Sequence, residues 1–293
     1  MDTLEGPALG LIFPSQPFEG RVIDEDFSLE YEAARRVGFE VGLYSLEEKR
    51  LLTPAVSGSA LYRGWMMTAD EYGAFYDRLH SRGTCLLTSP EQYRFCHHLA
   101  DWYETLVEET PKSVIFKGPN FDWERLTEAF PSGPLILKDY VKSCKHYWEE
   151  ACFIGDLDFA KVSRVTERFL ELRGEFLEGG LVFRECLSLL PIGVHPQSNL
   201  PLTLEYRVFV FKGKILGVGD YWPQGEYGSH QRPPESWLQT VIEKIGSPFF
   251  ALDVALDTDG RWWVIEVGDG QVSGLNDAFG AEDFYRRLAV ALR

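Results

Sequence analysis

The segment at residues 249–271, FFALDVALDTDGRWWVIEVGDGQ, constrains the fold more than any other part of the chain. Two apolar runs flank Asp259 and Gly260. This dipeptide favours a two-residue type I′ hairpin turn, because both central positions of that turn need a positive φ. Counting back from such a turn along both strands places Asp253 directly opposite Glu266. The sequence therefore predicts two carboxylates on one face of an antiparallel hairpin.

Two carboxylates at that spacing need compensation. Directly opposed residues have Cβ atoms about 4.5–5.5 Å apart, and like charges there destabilise a sheet. The neighbouring positions are apolar, so water can provide only part of the compensation. A bound Mg²⁺ would provide it, because Mg²⁺ uses one or two protein carboxylates together with substrate phosphates. The alternative is that both carboxylates face solvent on the polar side of the sheet. Asp269, between two glycines at the strand end, adds a third candidate ligand.

A basic cluster lies in LILKDYVKSCK, where Lys138 ends an apolar strand and Lys142 and Lys145 follow shortly after. Lysine serves phosphate groups as a point charge, so a nucleotide triphosphate is a reasonable partner for three lysines in an acidic chain. A solvated basic turn is the alternative interpretation.

Charged residues also interrupt three other predicted strands. In LVFRECL, Glu185 shares a strand face with apolar residues, so we expect it to have a buried partner. In EYRVFV, Glu205 and Arg207 share a face, and Arg207 suits either a bidentate phosphate contact or a local salt bridge. In LYRGW, Arg63 ends a strand, where open α/β sheets bind ligands, so it is a candidate anchor for an acidic substrate.

The order of predicted elements indicates an α/β start followed by α+β parts. Strands at 8–13, 39–44 and 84–87 alternate with helices through about residue 106, which is typical of a parallel sheet. Thr68 and Ser89 begin two of those helices with capping-box spacing. We expect an α/β domain at 1–110, a small lid at 111–180, a hairpin-rich part at 181–293 and a flexible stretch at 191–201.

Composition excludes several classes of function. The formal net charge of −16 repels phosphate backbones, which disfavours nucleic-acid partners. The chain lacks the phosphate loop GxxxxGK[ST] and the motifs GxGxxG, HExxH and GxSxG. No apolar run is long enough to span a bilayer, and no membrane partner is expected. The five cysteines form no CxxC pair, so we expect reduced thiols and a cytoplasmic protein.

Taken in chain order, the candidate residues resemble the active-site series of the ATP-grasp superfamily, and residues 113–275 resemble its R-two-K clade. The resemblance implies an N-terminal pre-ATP-grasp α/β domain followed by a two-lobed ATP-grasp domain, with the nucleotide in the cleft between the lobes. It also implies ATP and Mg²⁺ as cofactors.

The resemblance implies roles for individual residues. Lys138 and Lys145 would hold the ATP phosphates, with Lys142 as an alternative to Lys145. Arg207 would contact the γ-phosphate or the acyl phosphate, so that Arg207 and Lys138 act in catalysis. The nucleotide contacts would come from Glu185, Cys186, Leu187 and Glu205.

The metal site departs from the family pattern. Asp253 and Glu266 would bind Mg²⁺, but Gly268 stands where the family usually has Asn, and we expect Asp269 to take over that ligand role. The implied activity is ligation of a carboxylate, on a small molecule or peptide, to an amine or similar nucleophile. The alternatives are a nucleotidyl or phosphoryl transferase and a nucleotide-binding module without turnover. The sequence does not fix the oligomeric state.

Overall fold

The first sheet of the computed structural model is mostly parallel. Its strands are β1 (Leu9–Pro14), β2 (Glu40–Ser45), β3 (Arg50–Leu51), β4 (Gly58–Tyr62) and β5 (Thr84–Leu86). They lie in the order β3-β2-β1-β4-β5, and β3 pairs antiparallel while the others pair parallel. Strands β2 and β3 lie on one side of β1, whereas β4 and β5 lie on its other side. The strand order therefore reverses between β1 and β4.

Four helices accompany the strands of this part. They are α1 (Ser28–Val37), α2 (Ala69–His80), α3 (Pro90–His97) and α4 (Leu99–Trp102). Both predicted capping boxes are confirmed, with Thr68 and Ser89 as the N-caps of α2 and α3. Gly38 ends α1 in the left-handed conformation at a φ of 101°, which a residue with a side chain would adopt only at a cost.

The second sheet is antiparallel and lies in the middle of the chain. Its elements are β6 (Ser113–Ile115), α5 (Trp123–Ala129), β7 (Leu135–Lys138), β8 (Phe153–Ile154), α6 (Phe159–Arg173) and β9 (Val182–Glu185). The strand order is β6-β9-β7-β8. Strand β8 has only two residues, because Ala151 and Cys152 before it belong to a helical turn. Strand β9, expected to open the C-terminal part, pairs with β6 and β7 and so belongs to this sheet.

The C-terminal part contains a hairpin and a four-stranded antiparallel sheet. Its elements are β10 (Pro191–Val194), β11 (Pro201–Thr203), β12 (Glu205–Phe211), β13 (Lys214–Asp220), α7 (Glu235–Ile242), β14 (Phe249–Leu256), β15 (Trp262–Asp269) and α8 (Ala281–Ala291). The four strands lie in the order β13-β12-β14-β15, and we call them the third sheet.

The structure describes residues 9–54, 56, 58–194, 196, 201–228, 231–275 and 279–293. Within these ranges, no helix is both long and apolar enough to cross a membrane. The stretch at 191–201 that we expected to be flexible begins and ends with strands, while residues 195 and 197–200 lie outside the described residues.

The third sheet is buried on both faces at one end. On one face, Val208, Leu252 and Val264 join a core with α7. On the other face, Phe209 and Phe249 join a core with the first sheet, α1 and α8. The remaining half of that second face carries charged residues instead of apolar ones. The strand ends nearest the second sheet therefore form a polar surface next to an apolar core.

Candidate active site

The turn of the last hairpin differs from the predicted one. The Asp257 N–H donates to the Arg261 carbonyl oxygen at 3.0 Å, which leaves three residues in the loop. The Asp257 carboxylate accepts from the N–H groups of Asp259 and Arg261 at 3.0 and 2.7 Å. Gly260 has a φ of 85°, whereas Asp259 does not have a positive φ. The type I′ turn is therefore wrong, because the Asp257 side chain organises a longer loop.

A β-bulge restores the predicted register. Val254 pairs with Val264, but Asp253 pairs with Glu266, so Ile265 is the extra residue. The bulge offsets the longer loop by one position. The prediction that Asp253 lies opposite Glu266 is confirmed, although the assumed turn is not the one that produces it.

Arg184 on β9 holds this bulge in place. Its guanidinium donates to the carbonyl oxygens of Ile265 and Val264, at 2.5 and 3.2 Å, and to the Thr110 hydroxyl. Burial lowers the pKa of Arg184 to about 10. Sequence reasoning missed this residue, although a charged side chain on an otherwise apolar strand was the available signal.

Arg207 and Asp253 are direct cross-strand neighbours on β12 and β14. The Arg207 Nε and Nη2 atoms donate to the two Asp253 oxygens, both at 2.8 Å. A third donor, Nη1, reaches the Gly274 carbonyl oxygen at 3.2 Å. Burial opposes the charge of Arg207, but Asp253 outweighs it and raises the arginine pKa. Arg207 is therefore a permanent cation in the middle of the site.

Lys138 supplies the second cation. Its Nζ atom lies 3.4 Å from Glu266 Oε1, and its side chain is almost fully buried. Burial lowers the pKa of Lys138, against the pull of Glu266. Burial would raise the pKa of Glu266, but Lys138, Lys145 and other nearby cations lower it to about 2. Glu266 is therefore ionised across the physiological range.

Lys145 lies over an aromatic pair that sequence reasoning missed. Its Nζ atom is 5.9 Å from the ring centre of Tyr221 and 5.8 Å from that of Trp222. Burial opposes its charge, but Tyr221, Glu205 and the site carboxylates raise its pKa. Glu205 is itself buried, and burial raises its pKa to about 7 even though Lys145 lowers it.

Lys142 is less enclosed than the other two lysines, and the Asp139 carboxylate accepts from its backbone N–H at 2.5 Å. Its charge contributes to the lowered pKa of Glu266, after those of Lys138 and Lys145. Lys145 is therefore the more enclosed of these two lysines near Glu266.

Glu185 differs from its predicted environment. It is the last residue of β9 and its side chain is exposed, so it extends beyond the apolar face instead of lying buried on it. Cys186 and Leu187 follow it and are partly buried. The Cys186 N–H already donates to the Pro134 carbonyl oxygen at 3.1 Å.

Asp269 does not join the other two carboxylates. It pairs with Phe250, whereas Glu266 pairs with Asp253, so the alternation of side chains puts Asp269 on the opposite face. One of its oxygens accepts from the backbone and side-chain nitrogens of Gln271, at 2.9 and 3.1 Å. Burial raises its pKa to about 7, although Gln271 lowers it. Asp269 is therefore not a ligand of the same ion, contrary to our expectation.

Gly268 lies on the same face as Glu266, and the Ser273 side chain lies close to it. A Cβ atom added there would lie 2.8 Å from the Ser273 hydroxyl oxygen. That hydroxyl donates to the Asp269 carbonyl oxygen at 2.9 Å. The Ser273 side chain thus lies at the position where the family usually has an asparagine side chain.

The side chain of Arg63 is buried and hydrogen-bonded within the protein, and it is not open to a ligand. Its side chain is 1% exposed and donates to both Glu30 oxygens, at 2.9 and 2.8 Å. It also donates to the carbonyl oxygens of Gly270 and Ser273 and lies 5.8 Å from the centres of two neighbouring phenylalanine rings. With these donors engaged, Arg63 supports the 270–274 segment and offers no free edge to an acidic substrate.

The residues that converge fit a magnesium nucleotide. Asp253 and Glu266 provide hard oxygen ligands on one face, beside the cations Lys138, Lys145 and Arg207. Among the described residues, no group of three or more His, Cys, Asp and Glu side chains could hold a metal alone. Two carboxylates are the number that Mg²⁺ commonly takes from a protein, with water and phosphate oxygens as its other ligands.

Known structures share this fold. The chain is similar to a RimK domain ATP-grasp protein from Sphaerobacter thermophilus, with 17% identity, a TM-score of 0.62 and coverage of 97% of this chain and 99% of that one. The D-cycloserine synthetase DcsG gives 16% identity, a TM-score of 0.63 and coverage of 97% and 100%. The ATP-grasp ligase PsnB, complexed with a precursor variant, Mg and ADP, gives 13%, 0.60 and coverage of 100% and 98%.

These likenesses confirm the predicted fold class, with its α/β and α+β parts. No curated protein matches the chain in sequence. A family model described as ATP-grasp domain, R-two-K clade family 3, matches residues 123–288, which is more than half of the chain. The protein therefore belongs to the ATP-grasp domain proteins of the R-two-K clade, family 3.

Proposed function

We propose that this protein is an ATP-dependent ligase that activates a carboxylate as an acyl phosphate and couples it to an amine or similar nucleophile. The observation that carries the proposal is the opposed pair of Asp253 and Glu266, surrounded by Lys138, Lys145 and Arg207. Phosphoryl transfer needs positioning and charge neutralisation more than a protein nucleophile, and this site offers both.

The reaction has two steps. A carboxylate oxygen of the substrate attacks the γ-phosphorus of ATP, and the bond to the β,γ-bridging oxygen breaks to release ADP. The amine then attacks the acyl carbon, phosphate leaves, and solvent takes the proton lost by the amine. Negative charge moves between oxygens in both steps, so fixed cations around the phosphates lower both barriers.

Each charged residue has a proposed part in these steps. Asp253 and Glu266 would hold Mg²⁺, which neutralises phosphate charge when bound. Lys138 and Lys145 bind phosphate oxygens as point charges. Arg207 keeps its charge at every working pH, and its fork of donors suits the transferred phosphoryl group or the acyl phosphate.

The nucleotide base and ribose would lie against the link between the second and third sheets. Glu185, Cys186 and Leu187 leave β9, and Leu189 then forms a bridge with Asp257 of the last hairpin. A ligand at this link contacts both sheets. Glu205, at the start of β12, would contact the same nucleotide from the third sheet.

The proposed substrate is a small molecule or peptide that carries a carboxylate. Solved relatives of this fold include the small-molecule enzyme DcsG and the ligase PsnB complexed with precursor peptide PsnA2 and AMPPNP. We also propose a cytoplasmic location, for which the support is the five free cysteines.

Product analysis tests the proposal. The protein is incubated with Mg-ATP and a panel of carboxylic acids, with hydroxylamine present as a general nucleophile. We expect ADP, phosphate and a hydroxamate that form only with a matching acid. AMP or a phosphorylated stable product would instead identify a nucleotidyl or phosphoryl transferase, and ATP binding without consumption would identify a non-catalytic module.

A further inference from the structure

Large apolar side chains are exposed in the loops that follow β1 and β4 of the first sheet. Phe18 is 90% exposed, Val22 46%, Trp65 44% and Met66 40%. We call these four residues the apolar rim. Single exposed apolar residues are ordinary on protein surfaces, but a group of them at one edge marks a binding site more often than chance placement does.

The apolar rim lies where a sheet of this topology binds ligands. Phe18 and Val22 belong to the loop after β1, which is closed by a hydrogen bond from the Gln16 N–H to the Val22 carbonyl oxygen at 2.8 Å. Trp65 and Met66 belong to the loop after β4. The strand order reverses between β1 and β4, and open α/β sheets bind ligands outside the carboxyl ends of strands at such a point.

One rim side chain is held in position although it is exposed, and another lies on an unusual backbone conformation. The Trp65 Nε1 atom donates to an Asp24 oxygen at 2.8 Å, and its ring meets that of Phe27 edge to face, with centres 5.2 Å apart. Phe18 has a φ of 61°, a left-handed conformation that is costly for a bulky residue. Strained backbone of this kind is concentrated at functional sites.

The apolar rim is connected to the candidate active site through the segment at 270–274. The Gly64 N–H, next to Trp65, donates to the Gln271 carbonyl oxygen at 3.1 Å. On its other side, the same segment accepts from Arg207 at the Gly274 carbonyl oxygen. One short segment therefore touches both the rim loop and the arginine that pairs with Asp253.

We propose that the apolar rim binds the side chain of the acid substrate, and that this acid is an amino acid or peptide C-terminus with an aromatic or large aliphatic side chain. The inference rests on the proposed function and adds the substrate class. The side chain would lie on Trp65 and Phe18, while the carboxylate points across the 270–274 segment toward Arg207. Free amino acid and peptide share this chemistry, and the choice of probes separates them.

Direct binding tests the inference without turnover. The full chain is saturated with Mg²⁺ and a non-hydrolysable ATP analogue and then titrated with L-phenylalanine, N-acetyl-L-phenylalanine and glycyl-L-phenylalanine. The three glycine counterparts of these probes serve as references. We expect at least one aromatic probe to bind about tenfold more tightly than its glycine counterpart, which is the effect of burying one large apolar side chain.

Variants locate the effect. Trp65→Ala and Phe18→Asn should each remove most of the aromatic preference while leaving the affinity for the ATP analogue unchanged. Asparagine is chosen at position 18 because it tolerates the left-handed conformation. Phe176→Asn is the matched control, since Phe176 is also exposed, at 69%, but lies in the turn after α6. Met66→Ser replaces Trp65→Ala if the latter fails to fold.

An aromatic preference that survives both rim variants overturns the inference, as does equal or absent binding of all aromatic and glycine probes. These failures are separate from failure of the ligase proposal. ADP release with a polar acid, unaffected by Trp65→Ala, would remove the rim from substrate binding and leave the ligase standing.

Discussion

The guanidinium of Arg207 engages both oxygens of Asp253, with two nitrogen to oxygen distances of 2.8 Å. Asp253 is also a proposed Mg²⁺ ligand, so the arginine occupies the carboxylate that the metal would share. Arginine and magnesium are both cations, and either can balance the opposed pair of Asp253 and Glu266. Binding of a magnesium nucleotide would then free Arg207 to turn its donors toward phosphate.

The ion pair between Arg207 and Asp253 predicts the effect of Arg207→Met. Removing one partner leaves a buried carboxylate unpaired, so the free energy of unfolding should fall by about 3–5 kcal/mol in urea titrations. Added Mg²⁺ should stabilise the variant more than the wild type, because the freed carboxylate can take the metal. Equal stabilisation of both proteins by Mg²⁺ would contradict a metal site at Asp253.

The opposed carboxylates should be essential for turnover. Asp253→Asn and Glu266→Gln should each lower Mg-dependent ATP consumption at least about a hundredfold, because metal binding supplies several kcal/mol of charge stabilisation. Circular dichroism should show a retained fold. Asp259→Asn, at the exposed tip of the same hairpin, is the control and should keep full activity. Unchanged activity in both site variants would refute the metal assignment.

The lysines should differ in their contribution to ATP binding. Lys138→Ala and Lys145→Ala should each raise the Kd for ATP about tenfold or more in calorimetric titrations, because each removes a charged contact to phosphate. Lys142→Ala should have a smaller effect, since the charge of Lys142 acts on Glu266 less than those of Lys138 and Lys145 do. Wild-type affinity in Lys138→Ala would take that lysine out of the site, and a larger effect at Lys142 than at Lys145 would reverse their assignment.

Gly268 should not tolerate the asparagine that the family usually has. In Gly268→Asn, the new Cβ would lie 2.8 Å from the Ser273 hydroxyl oxygen, so this hydroxyl must turn away, its hydrogen bond to the Asp269 carbonyl oxygen is lost and ATP consumption should fall. Combining Gly268→Asn with Ser273→Gly removes the opposing atom and should recover part of the activity. If the single variant is fully active, the segment does not exclude a side chain at this position.

Asp269 should make the stability of the protein depend on pH. Its folded pKa is raised to about 7 by burial, so the folded state binds its proton more tightly than the unfolded state. Its contribution is fully present below the unfolded value of about 3.9 and is lost as pH rises toward 7. In Asp269→Asn, the free energy of unfolding should therefore depend less on pH. At pH 8 it should exceed that of the wild type by on the order of a few kcal/mol in urea titrations. A wild-type pH profile in the variant would contradict this.

The strands and helix starts were predictable because they depend on local signals. The capping residues Thr68 and Ser89 act within one helical turn, and the strands β7 and β12 follow largely apolar runs. The ordered series of charged residues also indicated the family, since chain order is preserved in any fold of the same topology.

The environment of individual side chains was less predictable because it depends on contacts between distant segments. The Ile265 bulge is held by Arg184, 81 positions away in the chain. Arg63 is engaged by Glu30 on α1, which lies 33 positions away in the chain. No local pattern around these residues reports such partners.

One face of the third sheet carries both an apolar core and the charged residues of the candidate active site. Phe209 and Phe249 pack with Leu11 and Phe13 of the first sheet, on the same face that carries Arg207 and Asp253 farther along the strands. A fragment beginning at residue 111 would keep α8 over these phenylalanines but would lose the cover of the first sheet and α1, and it would be prone to aggregate. The nucleotide-binding half is therefore not a portable module, and its transfer to another protein would require its N-terminal cover as well.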